Sequence, residues 1–125
     1  MAALENAVSY SKTRVQFGKP ICKFQGISFS LAEMATQLQA AELMLYHAAY
    51  RLDQGLPATQ ACSMAKLFVT ETAFQVAHRA LQIFGGYGYT KDFPMERYFR
   101  DTRLGLIVEG MSEVQKMVIA RNILK

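Results

Sequence analysis

An apolar stripe runs through the first half of the chain: Leu31, Met34, Leu38, Ala41, Leu45, Ala48 and Leu52 fall at alternating intervals of three and four. That spacing gathers every apolar residue on one face of an α-helix and is foreign to a strand, whose side chains alternate with period two. A seam of this length needs other helices to cover it, so the chain is expected to be a bundle. The rest of the sequence reads the same way. Leu4, Ala7, Val8, Ser11 and Val15 place a first helix from Ala2 to about Gln16, ended by Gly18 and Pro20. The striped helix starts between Phe24 and Ser30, where Ser30 and Glu33 form a possible capping box, and stops at Gly55 and Pro57. A third helix runs from Ala58 to Phe84, with Ala61, Ala65, Phe68, Val69, Thr72, Val76, Ala80 and Ile83 facing inwards, and Gly85-Gly86 closes it.

After the aromatic segment Tyr87 to Pro94, Pro94 suits the start of a short helix from Met95 to about Asp101, where Arg97, Arg100 and Arg103 can pair with Glu96 and Asp101. A last helix spans Ser112 to Leu124, burying Val114, Met117, Val118 and Leu124. No stretch alternates with period two, so no strand is expected. The expected architecture is all-α: a single domain over residues 1–125, an antiparallel up-and-down four-helix bundle with a short extra helix.

Composition narrows the function classes. The net charge of +4 is scattered among acids, which suits an anionic ligand such as a phosphate and gives no block for nucleic acid. Cys22 and Cys62 are forty positions apart with no neighbouring ligands, so they read as reduced thiols of a cytosol-like compartment. His47 and His78 are isolated, and no metal site is expected. No apolar run approaches the roughly 18 residues of a membrane span.

Three segments carry more polar specificity than a bundle needs. In Arg14-Val15-Gln16-Phe17-Gly18-Lys19-Pro20, followed by Phe24-Gln25, an arginine beside a flexible turn suits phosphate oxygens, which guanidinium binds in bidentate fashion. Taken alone, the segment is better explained by an exposed arginine favoured by a helix C-terminus. In Gln82-Ile83-Phe84-Gly85-Gly86-Tyr87-Gly88, glycines can offer bare backbone N–H groups to an anion. The segment follows a helix, however, where the dipole has the wrong sign for an anion, and a C-cap glycine is the simpler explanation. In Ile107-Val108-Glu109-Gly110-Met111-Ser112-Glu113-Val114-Gln115, a carboxylate on an apolar approach, with dry surroundings, meets a free-bending glycine and a capping box from Ser112 to Gln115. Glu109 there is a candidate general base, or a loop acid favoured by the helix dipole.

Taken together and in order, these segments resemble the C-terminal helical domain of the acyl-CoA dehydrogenase family. The matching residues are Arg14-x-Gln16-Phe17-Gly18-Lys19-Pro20 with Phe24-Gln25, Gln82-Ile83-Phe84-Gly85-Gly86-x-Gly88, and Glu109-Gly110-x-Ser112-Glu113; Tyr98-Phe99-Arg100-Asp101 also looks like the family's intervening segment. The resemblance implies an FAD-dependent enzyme that desaturates the α,β bond of an acyl-CoA thioester. A glutamate at the position of Glu109 takes the α-proton while the β-hydrogen leaves as hydride to flavin N5. Burial raises a carboxylate's affinity for a proton, and hydrogen bonds to the thioester oxygen, one from this glutamate's own N–H, stabilise the developing enolate.

The resemblance further implies that Arg14, Gln16, Gln25, Gln82, Ile83, Phe84, Gly85 and Gly86 contact the FAD of a neighbouring subunit. Ser112 and Glu113 contact flavin, and Gly110 contacts substrate. A homotetramer, electron-transfer flavoprotein as electron acceptor, and a bacterial cytoplasmic or mitochondrial matrix setting follow in the same way. Two positions depart from the family. Met111 replaces the usual Thr and cannot donate a hydrogen bond to flavin, and Val108 stands where many members carry Tyr. The family's N-terminal helical and middle β-domains are absent from these 125 residues, and the chain alone is expected to be inactive. An acyl-CoA oxidase domain and a non-catalytic oligomerisation module are the alternatives.

Overall fold

The computed structural model describes residues 1–125. Helices α1 (Ala2–Thr13), α2 (Gln25–Asp53), α3 (Thr59–Phe84), α4 (Met95–Leu104) and α5 (Ser112–Ile123) account for nearly all regular structure. Between α1 and α2 lies a small antiparallel hairpin, β1 (Val15–Gln16) and β2 (Lys19–Pro20). The long helix α3 is the shared wall: α1, α2, α4 and α5 all pack on it. Its buried face carries Ser63, Ala65, Thr72, Val76, Ala77 and Ala80. These small residues let the neighbouring backbones come close.

The core sits where α1, α2, α3 and α4 converge. Met34 from α2 and Met95 from α4 are wholly buried, and they join Ala3, Ala7, Val76, Ala80, Ile83 and Phe84 in one cluster. The flexible thioether chains of the two methionines fill space left between small residues. The α2 stripe is buried at Met34, Ala41 and Ala48 and half-buried at Leu31 and Leu38, but Leu45 and Leu52 are exposed. The cause is length. A 12-residue α1 reaches only about 18 Å and cannot cover a 29-residue α2.

Several expectations are corrected. The first helix ends at Thr13, not Gln16, because Arg14 is extended and the chain turns into the hairpin. The expectation of no strand fails there: Val15 pairs with Pro20 and Gln16 with Lys19. Phe17 and Gly18 both take positive φ, +51° and +79°, as the central pair of a primed turn does. Strands of two residues are too short for any alternation to show. Ser30 and Glu33 form no capping box, since α2 starts at Gln25 and Glu33 pairs with Arg79 on α3. The short helix runs on to Leu104, and of its arginines only Arg100 finds an acid, Glu96 at 2.8 Å. Arg97 and Arg103 lie over the rings of Tyr98 and Phe74 instead.

Val114 and Met117 of α5 and Leu124 just after it are exposed and Val118 is half-buried, because α3 is the one helix that packs extensively on α5. No helix is long and apolar enough to cross a membrane.

Candidate functional site

The hairpin segment and the glycine segment, 68 positions apart at Arg14 and Gln82, meet in space. Tyr10 of α1 stacks on Phe84 at the end of α3 with ring centroids 4.0 Å apart, and Phe93 sets its edge against both rings. This aromatic packing draws the end of α1 onto the end of α3. Arg14, the residue that caps α1, lies over the Tyr87 ring, 5.4 Å from its centroid. A cavity of about 480 Å³ opens there, lined by Tyr10, Arg14, Gln16, Ile21 and Ile83 together with Phe84, Gly85, Gly86, Tyr87 and Thr90. Six of the residues singled out from the sequence are thus brought together, while Tyr10, Ile21, Tyr87 and Thr90 were missed. Tyr10 stands one helical turn before Arg14, and that spacing is the signal that could have found it.

Each glycine here has its own cause. Gly85 caps α3 at φ +60° and ψ −137°, a conformation that side chains forbid. Open space lies beside both Gly85 and Gly86, so a ligand can reach bare backbone. Gly88 is buried, and a Cβ on it would fall 2.5 Å from the Leu81 carbonyl oxygen. The positive charge that the end of α3 lacks is supplied by Arg14. Gln82 is turned away from this cavity into a neighbouring one of about 240 Å³, lined with Gly26, Ile27, Ser30, His78 and Arg79. Gln25, the first residue of α2, is exposed next to Gly26.

Glu109 lies on the α4–α5 connection. The loop closes on itself where the Ser112 N–H donates to the Leu106 carbonyl at 3.3 Å. Lys66 of α3 donates to the Gly105 carbonyl at 2.9 Å and ties the loop's start to the wall of the bundle. Glu109 (φ +54°) and Gly110 (φ +89°) are consecutive left-handed residues at its tip. The dry surroundings expected for Glu109 are not present in this chain. Glu109 is exposed, as are Ile107 and Val108 before it, because no other element packs on the loop from outside.

The expected capping box is likewise not formed. Met111, not Ser112, is the N-cap of α5, with no side-chain cap bond, and Gln115 reaches back to Gly110. Ser112 is 7% exposed, and its hydroxyl has no partner. It lines a cavity of about 400 Å³ with Glu113, Met111, Arg103, Lys116 and, from α3, Glu71, Phe74 and Gln75. Arg103 and Lys116 bring two positive charges to this cavity, balanced by the acids Glu113 and Glu71, the latter 3.8 Å from Lys116; neither base was singled out from the sequence as a site residue. Arg103 had been assigned to ion pairs within its own helix.

The two patches occupy different parts of α3. From Gln75 to Ile83 is about 12 Å along the axis at 1.5 Å per residue. At 100° per residue, Glu71, Phe74 and Gln75 point roughly opposite to Ile83 and Phe84. The class these observations define is a predominantly helical domain presenting two separate cavities, with an exposed carboxylate on the loop beside one of them.

The chain belongs to the acyl-CoA dehydrogenase family: the profile of the family's "Acyl-CoA dehydrogenase, C-terminal domain" matches residues 1–124. The 3-(aryl)acrylate reductase of Clostridium sporogenes is 56% identical over 99% of this chain, which corresponds to 33% of that protein. The solved butyryl-CoA dehydrogenase from Megasphaera elsdenii superposes with a TM-score of 0.98 at 48% identity, covering 99% of this chain and 32% of that one. An FAD complex of PigA superposes with a TM-score of 0.94 at 36% identity, covering 97% and 32%. The chain therefore spans about a third of the length of the curated relatives it matches.

Proposed function

We propose that this chain supplies the base of an FAD-dependent α,β-desaturation of an acyl-CoA thioester, with Glu109 accepting the α-proton. The observation that carries the reading is the placement of Glu109: an exposed carboxylate at the tip of a closed loop tied to α3. Such a group is free of any partner within the chain and has a fixed base to act from. Breaking the α-C–H bond sends its proton to Glu109 and leaves the electron pair to form the double bond. FAD, when bound, supplies the acceptor for the hydride that leaves the β-carbon. The Glu109 backbone N–H and its neighbours stabilise the enolate oxygen as charge builds there. Substrate and cofactor, once seated, exclude water from a carboxylate that is open in the chain by itself.

The residues present fit the cofactor. Ser112 holds a buried hydroxyl with no partner, beside Arg103 and Lys116, and it suits a polar atom of bound FAD. Arg14 and the bare backbone at Gly85 and Gly86 suit phosphate oxygens. In this reading the two patches serve different cofactor molecules. Ser112 and Glu113 hold the one next to Glu109, and the Arg14 patch, with Gln16, Gln25 and Gln82, reaches one held by a neighbouring subunit of a homotetramer. Gly110 borders the acyl-CoA, and electron-transfer flavoprotein carries the electrons onward. Met111 offers no hydroxyl, so Ser112 is the donor left at this end of α5.

The test uses a completed enzyme, in which this chain replaces the matching third of the Megasphaera elsdenii butyryl-CoA dehydrogenase. Deuterium wash-in at the substrate α-carbon, followed by NMR without any electron acceptor, isolates the proton step. Glu109→Gln should slow it by about 10²- to 10⁴-fold, the usual contribution of a general base. Unchanged wash-in in that variant would place the base elsewhere.

A second reading runs the same chemistry in reverse. It is favoured by the 56% identity to a protein named a reductase of 3-(aryl)acrylate. By microscopic reversibility the protonated Glu109 then delivers the α-proton as hydride adds at the β-carbon. Supplying reduced electron donor and an acrylate thioester to the completed enzyme distinguishes the physiological direction by the ratio of the two rates.

A further inference from the structure

Gln115 lies on the first turn of α5 and points back towards the loop. Its side-chain Nε2 donates to the Gly110 carbonyl oxygen at 3.1 Å, five positions earlier. That carbonyl belongs to the residue immediately after Glu109, and Glu109 and Gly110 form the left-handed pair at φ +54° and +89°. A glutamate in this left-handed region is strained against its ordinary conformations, so the pair needs an external hold. The other ties fix the loop before the pair, from Lys66 to the Gly105 carbonyl, from the Ser112 N–H to the Leu106 carbonyl and from the Val108 N–H to the Leu104 carbonyl at 3.1 Å, and none of them is made to Glu109 or Gly110. The fit around Gly110 is also close. A Cβ there would fall 2.5 Å from Gln115 Nε2, so the amide occupies the space a side chain would need.

We propose that Gln115 is a positioning residue for Glu109: its amide N–H holds the Gly110 carbonyl and thereby fixes the two left-handed residues that aim the carboxylate. The inference rests on the reading of Glu109 as the base. It assigns Gln115 a task through the loop backbone, with no contact to substrate or cofactor. Small angular errors at a reacting group are costly, since a displacement of about 1 Å can lower a rate by about 10²-fold.

Two variants separate donation from simple space-filling. Gln115→Glu keeps the shape but turns a carboxylate oxygen towards the Gly110 carbonyl, and Gln115→Met keeps the length without a donor. In the completed enzyme, kcat should fall by roughly tenfold or more in Gln115→Glu and by a smaller factor in Gln115→Met, with KM for acyl-CoA within about twofold of the original. In the chain alone, amide hydrogen exchange at Gly110 to Ser112 should quicken in both variants while α2 and α3 keep their protection.

A role in packing alone would leave the isosteric Gln115→Glu at the original kcat, and that result overturns the inference. Glu109→Gln, measured alongside, keeps the two proposals apart. If Glu109→Gln is inactive and Gln115→Glu fully active, the base stands and the positioning role falls. If Glu109→Gln retains activity, the base lies elsewhere, and faster exchange in the Gln115 variants then reports a loop tie without catalytic consequence, which overturns the proposal as well.

Discussion

At the Gly85 end of α3, position comes from packing. Tyr10, Phe84 and Phe93 interlock, Phe84 is 4% exposed, and Arg14 and the glycines are carried to their places by that cluster. At the α4–α5 loop, position comes from a few hydrogen bonds to backbone carbonyls, from Lys66, Ser112 and Gln115, while the loop's apolar residues Ile107 and Val108 face outwards. The first patch is complete in the chain as a shaped and charged cavity. The second presents an exposed carboxylate and a buried hydroxyl without a partner in the chain. A bundle can carry a binding patch on its core at no extra cost in order. A group carried on a loop has less packing to place it, and each polar tie matters more.

That contrast predicts opposite responses to substitution. The largest effect on turnover, with almost none on stability, belongs to Glu109→Gln: about 10²- to 10⁴-fold in the completed enzyme. Its thermal unfolding should match the original, because the exposed side chain makes no bond that folding needs. Phe84→Ala reverses the pattern. It should cost about 3–5 kcal/mol in denaturant unfolding of the chain, as buried aromatic truncations do, and the Arg14 cavity should lose its shape with it. An intact Arg14 patch in Phe84→Ala would sink the claim that packing places it.

Gly110→Ala comes next. A side chain at φ +89°, against the Gln115 amide, should remove roughly 1–2 kcal/mol of stability. Turnover in the completed enzyme should fall further than that loss explains. Smallest is the ion pair on α4, whose two residues line neither cavity. The Arg100 guanidinium, hydrogen-bonded to Glu96, holds its carboxyl below the ordinary range. The pair's contribution is therefore present above the ordinary carboxylate range and is lost as pH falls through the lowered value. Melting curves of the chain in acid should show a slight extra loss that Arg100→Met abolishes, slight because the pair is solvent-exposed.

The helices were legible because an apolar period near 3.6 survives over α2 and α3, and because Gly55, Pro57 and Gly85 mark where they end. The hairpin was not, since its two-residue strands are specified by the backbone of Phe17 and Gly18 and not by any pattern. The buried face of α5 was misread for a related reason: periodicity shows that a face is apolar, not whether a partner covers it. Of the candidate site, the Arg14 and Gly85 segments could be seen to meet only through their family resemblance, for the contact that joins them runs through Tyr10 and Phe93. Gln115 was read as the second half of a capping box, which does not form. Its partner was misassigned, because a side chain in the first turn of a helix can reach several backbone groups and the left-handed turn before α5 decides which one.

The central claim is that the two patches of one chain serve two different cofactor molecules, and mixed oligomers test it most directly. Completed subunits carrying Glu109→Gln should lack the base, and those carrying Arg14→Glu should hold a neighbour's FAD poorly. The two are unfolded or dissociated together, reassembled and assayed against each parent. If the patches work across a subunit boundary, mixing restores activity, because an Arg14→Glu subunit keeps its own Glu109 and borrows an intact Arg14 from its Glu109→Gln neighbour. A mixture no more active than its parents would contradict the account and place both patches at one cofactor.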